Sequence, residues 1–250
     1  MGPSPVGPAY LVRVIQLINL SGKTPSLKAD TRVAYKTPMP RNMLELPPDL
    51  PVPEDDGAAS HLTGTALPEL SLPSTQGGTV LLQGLDRCVL FFYPRTGLPE
   101  RPADAAWDLI PGARGCTPQS CGYRDLHGEF LALGARVFGV STQTTEYQRA
   151  FAERNHIPFP ILSDARLEVT RVMRLPTFEF DIDRRYAPGS GGGPNTLIKR
   201  MSWYVERGVI RKVWYPVFPP NTNAEQVLSL LRQAPALPSR TPHASGGPER

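Results

Sequence analysis

The chain has no stretch of about eighteen consecutive apolar residues, so a membrane-spanning helix is excluded. Its longest candidate, residues 9–20 (AYLVRVIQLINL), is interrupted by Arg13. It also lacks any block of about five like charges; the net charge of +4 and pI near 9.1 come from scattered Lys and Arg, which argues against a nucleic-acid-binding arm and says little about other partners. Cysteine is scarce, and the odd count of 3 in 250 residues does not suit a secreted disulfide scaffold. A reducing compartment is expected, with cytoplasm as the first expectation. No Cys-x-x-Cys is present, and His61, His127, His156 and His243 show no ligand spacing, so neither a dithiol oxidoreductase motif nor a zinc site is expected. His127, with Asp125 and Glu129, reads as part of a polar helix face. No internal repeat is visible.

Proline and glycine, in contrast, are abundant at 29 and 22 residues, and they gather at the two ends and in two internal segments. Between those segments a hydrophobic content of 40% suffices for a core. Residues 1–42 carry Asp30 as their sole carboxylate against Arg13, Lys23, Lys28, Arg32, Lys36 and Arg41, which superficially suits an organelle transit peptide. Poor amphipathicity and frequent proline favour instead a poorly ordered leader, with Met43 as an alternative start. The expected division is a leader and extended segment over 1–51, one α/β domain over 52–233, and a disordered tail over 234–250.

Within the domain, Leu70–Leu72 and Thr79–Leu82 read as short edge strands around Gln76-Gly77-Gly78. Cys88–Tyr93 (CVLFFY) is an apolar run without alternation, the pattern of a central strand buried on both faces. A Pro-rich loop from Pro94 to Gly115 leads to a helix with Thr117 as N-cap and Pro118 at its first position, running to about Leu133 with Tyr123, Leu126, Phe130 and Leu133 on one face. Arg136–Val140 is the next strand, which makes a right-handed crossover unit. A helix capped by Thr144 or Thr145 to about Asn155, a strand at Phe159–Leu162 and a short helix at Leu167–Leu175 follow. A Gly-rich loop over 183–196, a hairpin of Ile198–Glu206 and Val209–Tyr215, and a helix at Asn223–Arg232 complete the domain. Alternation in the hairpin puts Arg200, Ser202 and Tyr204 on one face and Met201, Trp203 and Val205 on the other.

Cys116 leaves the central strand on a loop and meets the start of a helix, where ligands sit in open α/β sheets. Unpaired backbone N–H groups and the positive end of the helix dipole favour a thiolate there, and a thiolate can attack an O–O bond. Its surroundings in sequence, ARGCTPQSCG, are polar, so neither Cys116 nor Cys121 has an apolar context of its own. Cys88, inside an apolar strand, reads as a packing residue. Residues five apart on an intact helix have Cα atoms roughly 8.7 Å apart, from rise and rotation. A disulfide needs less than about 7 Å. If Cys116 and Cys121 bond, the first helical turn must unwind.

From residue 89 to about 231 the chain resembles the peroxiredoxins, specifically the bacterioferritin comigratory protein (peroxiredoxin Q) branch of the AhpC/TSA family. The resemblance lies in VLFFYP (89–94), GCTPQSCGYRD (115–125), VFGVST (137–142), FPILSD (159–164) and KRMSWYVERGVIRKV (199–213). It implies a thioredoxin-like fold with a central mixed sheet flanked by helices. It further implies a thiol-dependent peroxidase acting on hydrogen peroxide and organic hydroperoxides, with Cys116 peroxidatic, Cys121 resolving, Pro94 in the active-site loop and Arg200 orienting the peroxide. A thioredoxin or similar dithiol protein is the implied reductant; no cofactor, metal, nucleic acid or membrane partner is expected, and the expected assembly is a monomer or weak dimer. The chain departs from the family at Ala113, where a Thr or Ser three residues before the cysteine is usual, and in a loop longer by more than a dozen residues. Thr96 or Thr117 is expected to supply the missing hydroxyl. A non-enzymatic redox sensor and a thioredoxin-like disulfide oxidoreductase are the rival readings.

Overall fold

A computed structural model describes residues 44–98, 105–180 and 196–233. The leader over 1–42, nearly all of the Gly-rich loop at 183–196 and the tail from 234 lie outside the described residues. In chain order the elements are β1 (Ser71–Pro73), β2 (Thr79–Leu81), β3 (Cys88–Phe92), α1 (Ala105–Asp108), α2 (Cys116–Asp125), α3 (His127–Ala132), β4 (Arg136–Ser141), α4 (Thr145–Arg154), β5 (Ile161–Ser163), α5 (Glu168–Val172), β6 (Thr177–Glu179), β7 (Thr196–Ile198), β8 (Met201–Glu206), β9 (Val209–Trp214) and α6 (Asn223–Gln233). Among the described residues no helix is long and apolar enough to cross a membrane.

The apolar run at Cys88–Phe92 occupies the middle of a five-stranded sheet in the order β5-β4-β3-β8-β9. Its neighbour β4 is parallel and β8 is antiparallel, so the sheet is mixed. Every residue of β3 is at most 1% exposed, because both faces are covered. On one face Cys88, Leu90 and Phe92 join Trp203, Val205 and Ile210; on the other Val89, Phe91 and Tyr93 join Tyr123, Phe130, Val227 and Leu228. Ring contacts stitch each layer: Phe92 lies 4.3 Å from Trp203, and Phe91 stacks on Tyr123 at 4.4 Å. Each such buried side chain contributes on the order of 1.5–3 kcal/mol of apolar transfer energy. The helical crossover from β3 to β4 thereby places α2 over the face that Tyr93 enters.

Local chemistry sets the element ends. Thr144 caps α4 by accepting from the Tyr147 backbone N–H at 3.4 Å. Asp164 accepts from the backbone N–H groups of Glu168, Val169 and Thr170 and so satisfies the open donors of α5. The β5 strand begins later than the sequence suggests, at Ile161, because Pro160 has no N–H to offer its neighbour and only its carbonyl pairs, accepting from Gly139.

The helix expected to run unbroken to Leu133 is instead split at Leu126, whose φ of −98° and ψ of 7° leave the helical region. Gly122 and Gly128 flank that break and lower helix propensity on both sides. The expected strand from Ile198 also divides: β7 ends at Ile198 and pairs with β6, whereas β8 starts at Met201. Lys199 and Arg200 occupy the step between the two sheets, where Lys199 N–H donates to Pro176 O. The Pro-rich loop is not wholly irregular, since α1 forms within it. There Trp107 packs 6.1 Å from Phe178 and 5.2 Å from Phe180, with the Arg95 guanidinium 5.9 Å from its ring.

Candidate active site

Cys116 is the first residue of α2, one position earlier than the N-cap expected at Thr117. The correction has a steric cause. Gly115 is the N-cap, with φ of 105° in the left-handed region, and a Cβ there would stand 2.3 Å from Pro220 Cγ and 3.1 Å from Leu46 Cδ2. Thr117 therefore sits inside the helix, 6% exposed, and caps nothing. The open N–H groups of the first turn gather at the Cys116 end of the helix.

The polar sequence around Cys116 does not describe its surroundings in space. The residue is 4% exposed and packs in the layer containing Tyr93, which follows β3, Tyr123 of α2 and Ala224 of α6. The expectation that Cys116 has no apolar context is thus overturned: the tertiary structure brings that context from other elements. Dry surroundings strengthen any charge acting on the sulfur.

Arg200 supplies that charge. The residue is 3% exposed, and its guanidinium donates from Nη2 to Cys116 Sγ at 3.1 Å, to Ala113 O at 3.0 Å and to Arg114 O at 3.2 Å. Its Nε donates to Gly112 O at 3.2 Å, and its Nη1 donates to Gln119 Oε1. Carbonyls from residues 112–114 hold the planar fork from one side while the sulfur meets its edge. Cys116 Sγ also lies 3.6 Å from Ala113 O, within reach as a thiol donor.

Behind the arginine stands a polar relay that the sequence reading missed. Gln119 Nε2 donates to Asn223 Oδ1 at 3.0 Å, and the same oxygen accepts from Tyr123 Oη at 2.8 Å and from Ser202 Oγ at 2.7 Å. Gln119, Ser202 and Asn223 are all fully buried, so these bonds form where water does not compete. Gln119 orients Arg200, and Asn223, at the start of α6, orients Gln119. A sequence signal existed for Ser202 through its expected alternation with Arg200, although Arg200 itself lies in the step before β8; for Asn223 only its place at a helix start was visible.

Cys121 lies on the same continuous helix as Cys116, 5% exposed, and both are free thiols. Burial pushes the Cys121 thiol above its ordinary range, against the pull of Arg124, so it is held protonated while α2 is intact. Cys88 is likewise pushed up by burial in β3, far from any role requiring a thiolate. Pro94 O accepts from Ser141 Oγ at 3.1 Å, which fixes the chain as it leaves β3. Thr96 does not offer a free hydroxyl: its Oγ1 donates to Gln143 Oε1 at 3.2 Å, and its backbone is held by Gln143 and Tyr147. The structure thus brings Cys116, Arg200 and Ala113 together and leaves the hydroxyls of Thr96 and Thr117 without a bond to the sulfur.

Residues 109–212 match the AhpC/TSA family, a span that contains Cys116, Cys121 and Arg200. The chloroplastic peroxiredoxin Q of Sedum lineare is 27% identical over 188 residues, which covers 74% of this chain and 86% of that protein. Peroxiredoxin bcp1 of Schizosaccharomyces pombe is 26% identical over 161 residues, covering 63% of this chain and 67% of its own. Among solved structures, peroxidoxin BcpB from Mycobacterium tuberculosis superposes with a TM-score of 0.51 at 26% identity, covering 68% of this chain and 96% of that one. An arginine-faced cysteine at the head of a helix, on a mixed sheet that superposes in this way, lies within the segment that matches the AhpC/TSA family, and over most of its length the chain is similar to peroxiredoxin Q (bcp) proteins.

Proposed function

We propose that this chain is a thiol-dependent peroxidase that reduces hydrogen peroxide and organic hydroperoxides, with residues 52–233 as the catalytic unit. The observation that carries the reading is the contact of Arg200 Nη2 with Cys116 Sγ at 3.1 Å in a water-poor layer at the head of α2. The Cys116 thiolate attacks the terminal oxygen of the peroxide; an S–O bond forms, the O–O bond breaks, and the departing oxygen leaves as water or alcohol after taking a proton. Arg200 stabilises the negative charge on sulfur before the attack and on the departing oxygen during it. Pro94 and the residues 112–114 shape the mouth of the site.

Cys121 then resolves the sulfenic acid. The intact helix keeps the two sulfurs beyond bonding reach, so the first turns of α2 open, Cys121 gains solvent and loses its proton, and its thiolate attacks Cys116 Sγ with loss of water. A thioredoxin or similar dithiol protein returns the disulfide to two thiols by exchange. A monomer or weak dimer suffices, because both sulfurs come from one chain. The cytoplasm is one location for such a cycle; the chloroplastic relatives make an organelle the other.

Intact mass after one equivalent of peroxide tests the assignment. Wild type should lose two hydrogens, Cys121→Ser should gain one oxygen, and Cys116→Ser should stay unchanged. Equal oxidation of all three proteins would falsify the roles given to the cysteines. Stopped-flow consumption of peroxide separates an enzyme from a slow redox sensor.

A further inference from the structure

Attack on a peroxide needs donors at the oxygens where negative charge develops. Arg200 is one such donor. A methyl group stands at Ala113, fully buried, where the resemblance leads one to expect a hydroxyl. Four neighbouring hydroxyls are already engaged: Thr96 Oγ1 donates to Gln143, Ser120 Oγ to Cys116 O, Tyr147 Oη to Thr96 O, and Tyr123 Oη to Asn223; Thr117, inside α2, makes no bond to the sulfur.

Tyr93 is different. It is fully buried, and its hydroxyl has no hydrogen-bond partner among the described residues. Buried hydroxyls are rarely left so, and each exception asks for a cause. Tyr93 follows β3, and the alternation of Val89, Phe91 and Tyr93 sends its ring to the face covered by α2, into the same packed layer as Cys116. It stands at the carboxyl end of the central strand, the end at which ligands sit in open α/β sheets. Burial first, then the charges of Cys116 and Tyr147, push the phenol well above its ordinary range, so it remains an O–H donor at any working pH.

We propose that the Tyr93 hydroxyl is the second donor to the bound peroxide, doing in this chain what a hydroxyl at position 113 would otherwise do. It is a catalytic residue whose partner arrives with the substrate. The bond forms when a peroxide is bound and gives the hydroxyl the partner that the described residues do not supply. The proposal rests on the peroxidase reading above.

The test is Tyr93→Phe, which keeps the ring and removes only the oxygen, alone and combined with Ala113→Thr. The readouts are the rate of Cys116 oxidation by hydrogen peroxide in stopped flow, the rate of Cys116 alkylation by iodoacetamide, and Tm. Tyr93→Phe should slow oxidation by about 10²-fold, the scale of one lost donor. Alkylation should stay within about twofold, because the free protein has no bond from Tyr93 to the sulfur, and Tm should hold or rise, because an unpaired buried hydroxyl is removed. Ala113→Thr should restore much of the rate in the Tyr93→Phe background. Oxidation by the variant within about threefold of wild type, or alkylation falling in parallel with it, overturns the proposal while leaving the peroxidase reading standing. A wild type whose Cys116 ignores peroxide overturns both.

Discussion

Replacing Arg200 by lysine keeps the positive charge and discards the fork, which isolates what the geometry contributes. Arg200 uses three nitrogens to reach Gly112 O, Ala113 O, Arg114 O, Gln119 Oε1 and Cys116 Sγ. A lysine has one nitrogen with three donors and cannot span those corners. At least the bonds to Gly112 and Gln119 are lost, and each charged hydrogen bond contributes roughly 1.5–3 kcal/mol. The expected destabilisation is therefore about 3–6 kcal/mol, read as a lowered urea midpoint. The ammonium, no longer steered by Gln119, also fails to hold the line from sulfur to the departing oxygen, so oxidation by hydrogen peroxide should slow by about 10²- to 10³-fold. Stopped-flow tryptophan fluorescence at neutral pH measures that rate directly. A lysine variant as stable as wild type and within fivefold of its rate would refute the claim that the fork, rather than the charge alone, builds the site.

Other expectations follow from the same geometry. Because burial raises the Cys121 thiol above its open-state value, the closed helix binds that proton more tightly; the resulting stabilisation is complete below the ordinary thiol range and is lost as pH rises through the raised value. In Cys116→Ser, protection of Cys121 from iodoacetamide, relative to a free thiol peptide, should therefore decline between about pH 8 and pH 10, and constant protection across that range would count against the burial account. Gly115→Ala forces a left-handed φ on a side chain and drives Cβ against Pro220, so its urea midpoint should fall by the equivalent of about 2 kcal/mol or more; an unchanged midpoint would show that α2 starts differently. Asn223→Leu should cut the peroxide rate roughly tenfold, because Gln119, Tyr123 and Ser202 lose their common acceptor, and a rate equal to wild type would detach the relay from the chemistry.

Much of this fold could be read along the chain because its signals are local. The run at Cys88–Phe92 announces a strand buried on both sides, and Thr144 announces the start of α4. Cys116 at a strand-to-helix junction was legible in the same way, whereas Arg200, expected within a strand, lies in the step before β8. The start of α2 was misplaced because the deciding contact, Gly115 against Pro220, joins distant segments. The relay stayed hidden for the same reason: Gln119 and Asn223 lie 104 positions apart, and nothing in either local sequence points to the other. Burial of Cys116 was missed because flanking polarity says nothing of the Tyr93 ring that follows β3 or of the aliphatic face that α6 brings to it. The strands β6 and β7, three residues each, are too short to carry a period.

The close seating of Pro220 against Gly115, together with the Gln119–Asn223 bond, ties the mouth of α2 to the head of α6. In the proposed cycle, where the cysteine-bearing turns come undone to join their sulfurs, α6 forfeits its anchor at the same moment. Oxidation at one sulfur would thereby be broadcast about a hundred positions along the sequence, where faster amide exchange along residues 223–233 would report that the protein is spent.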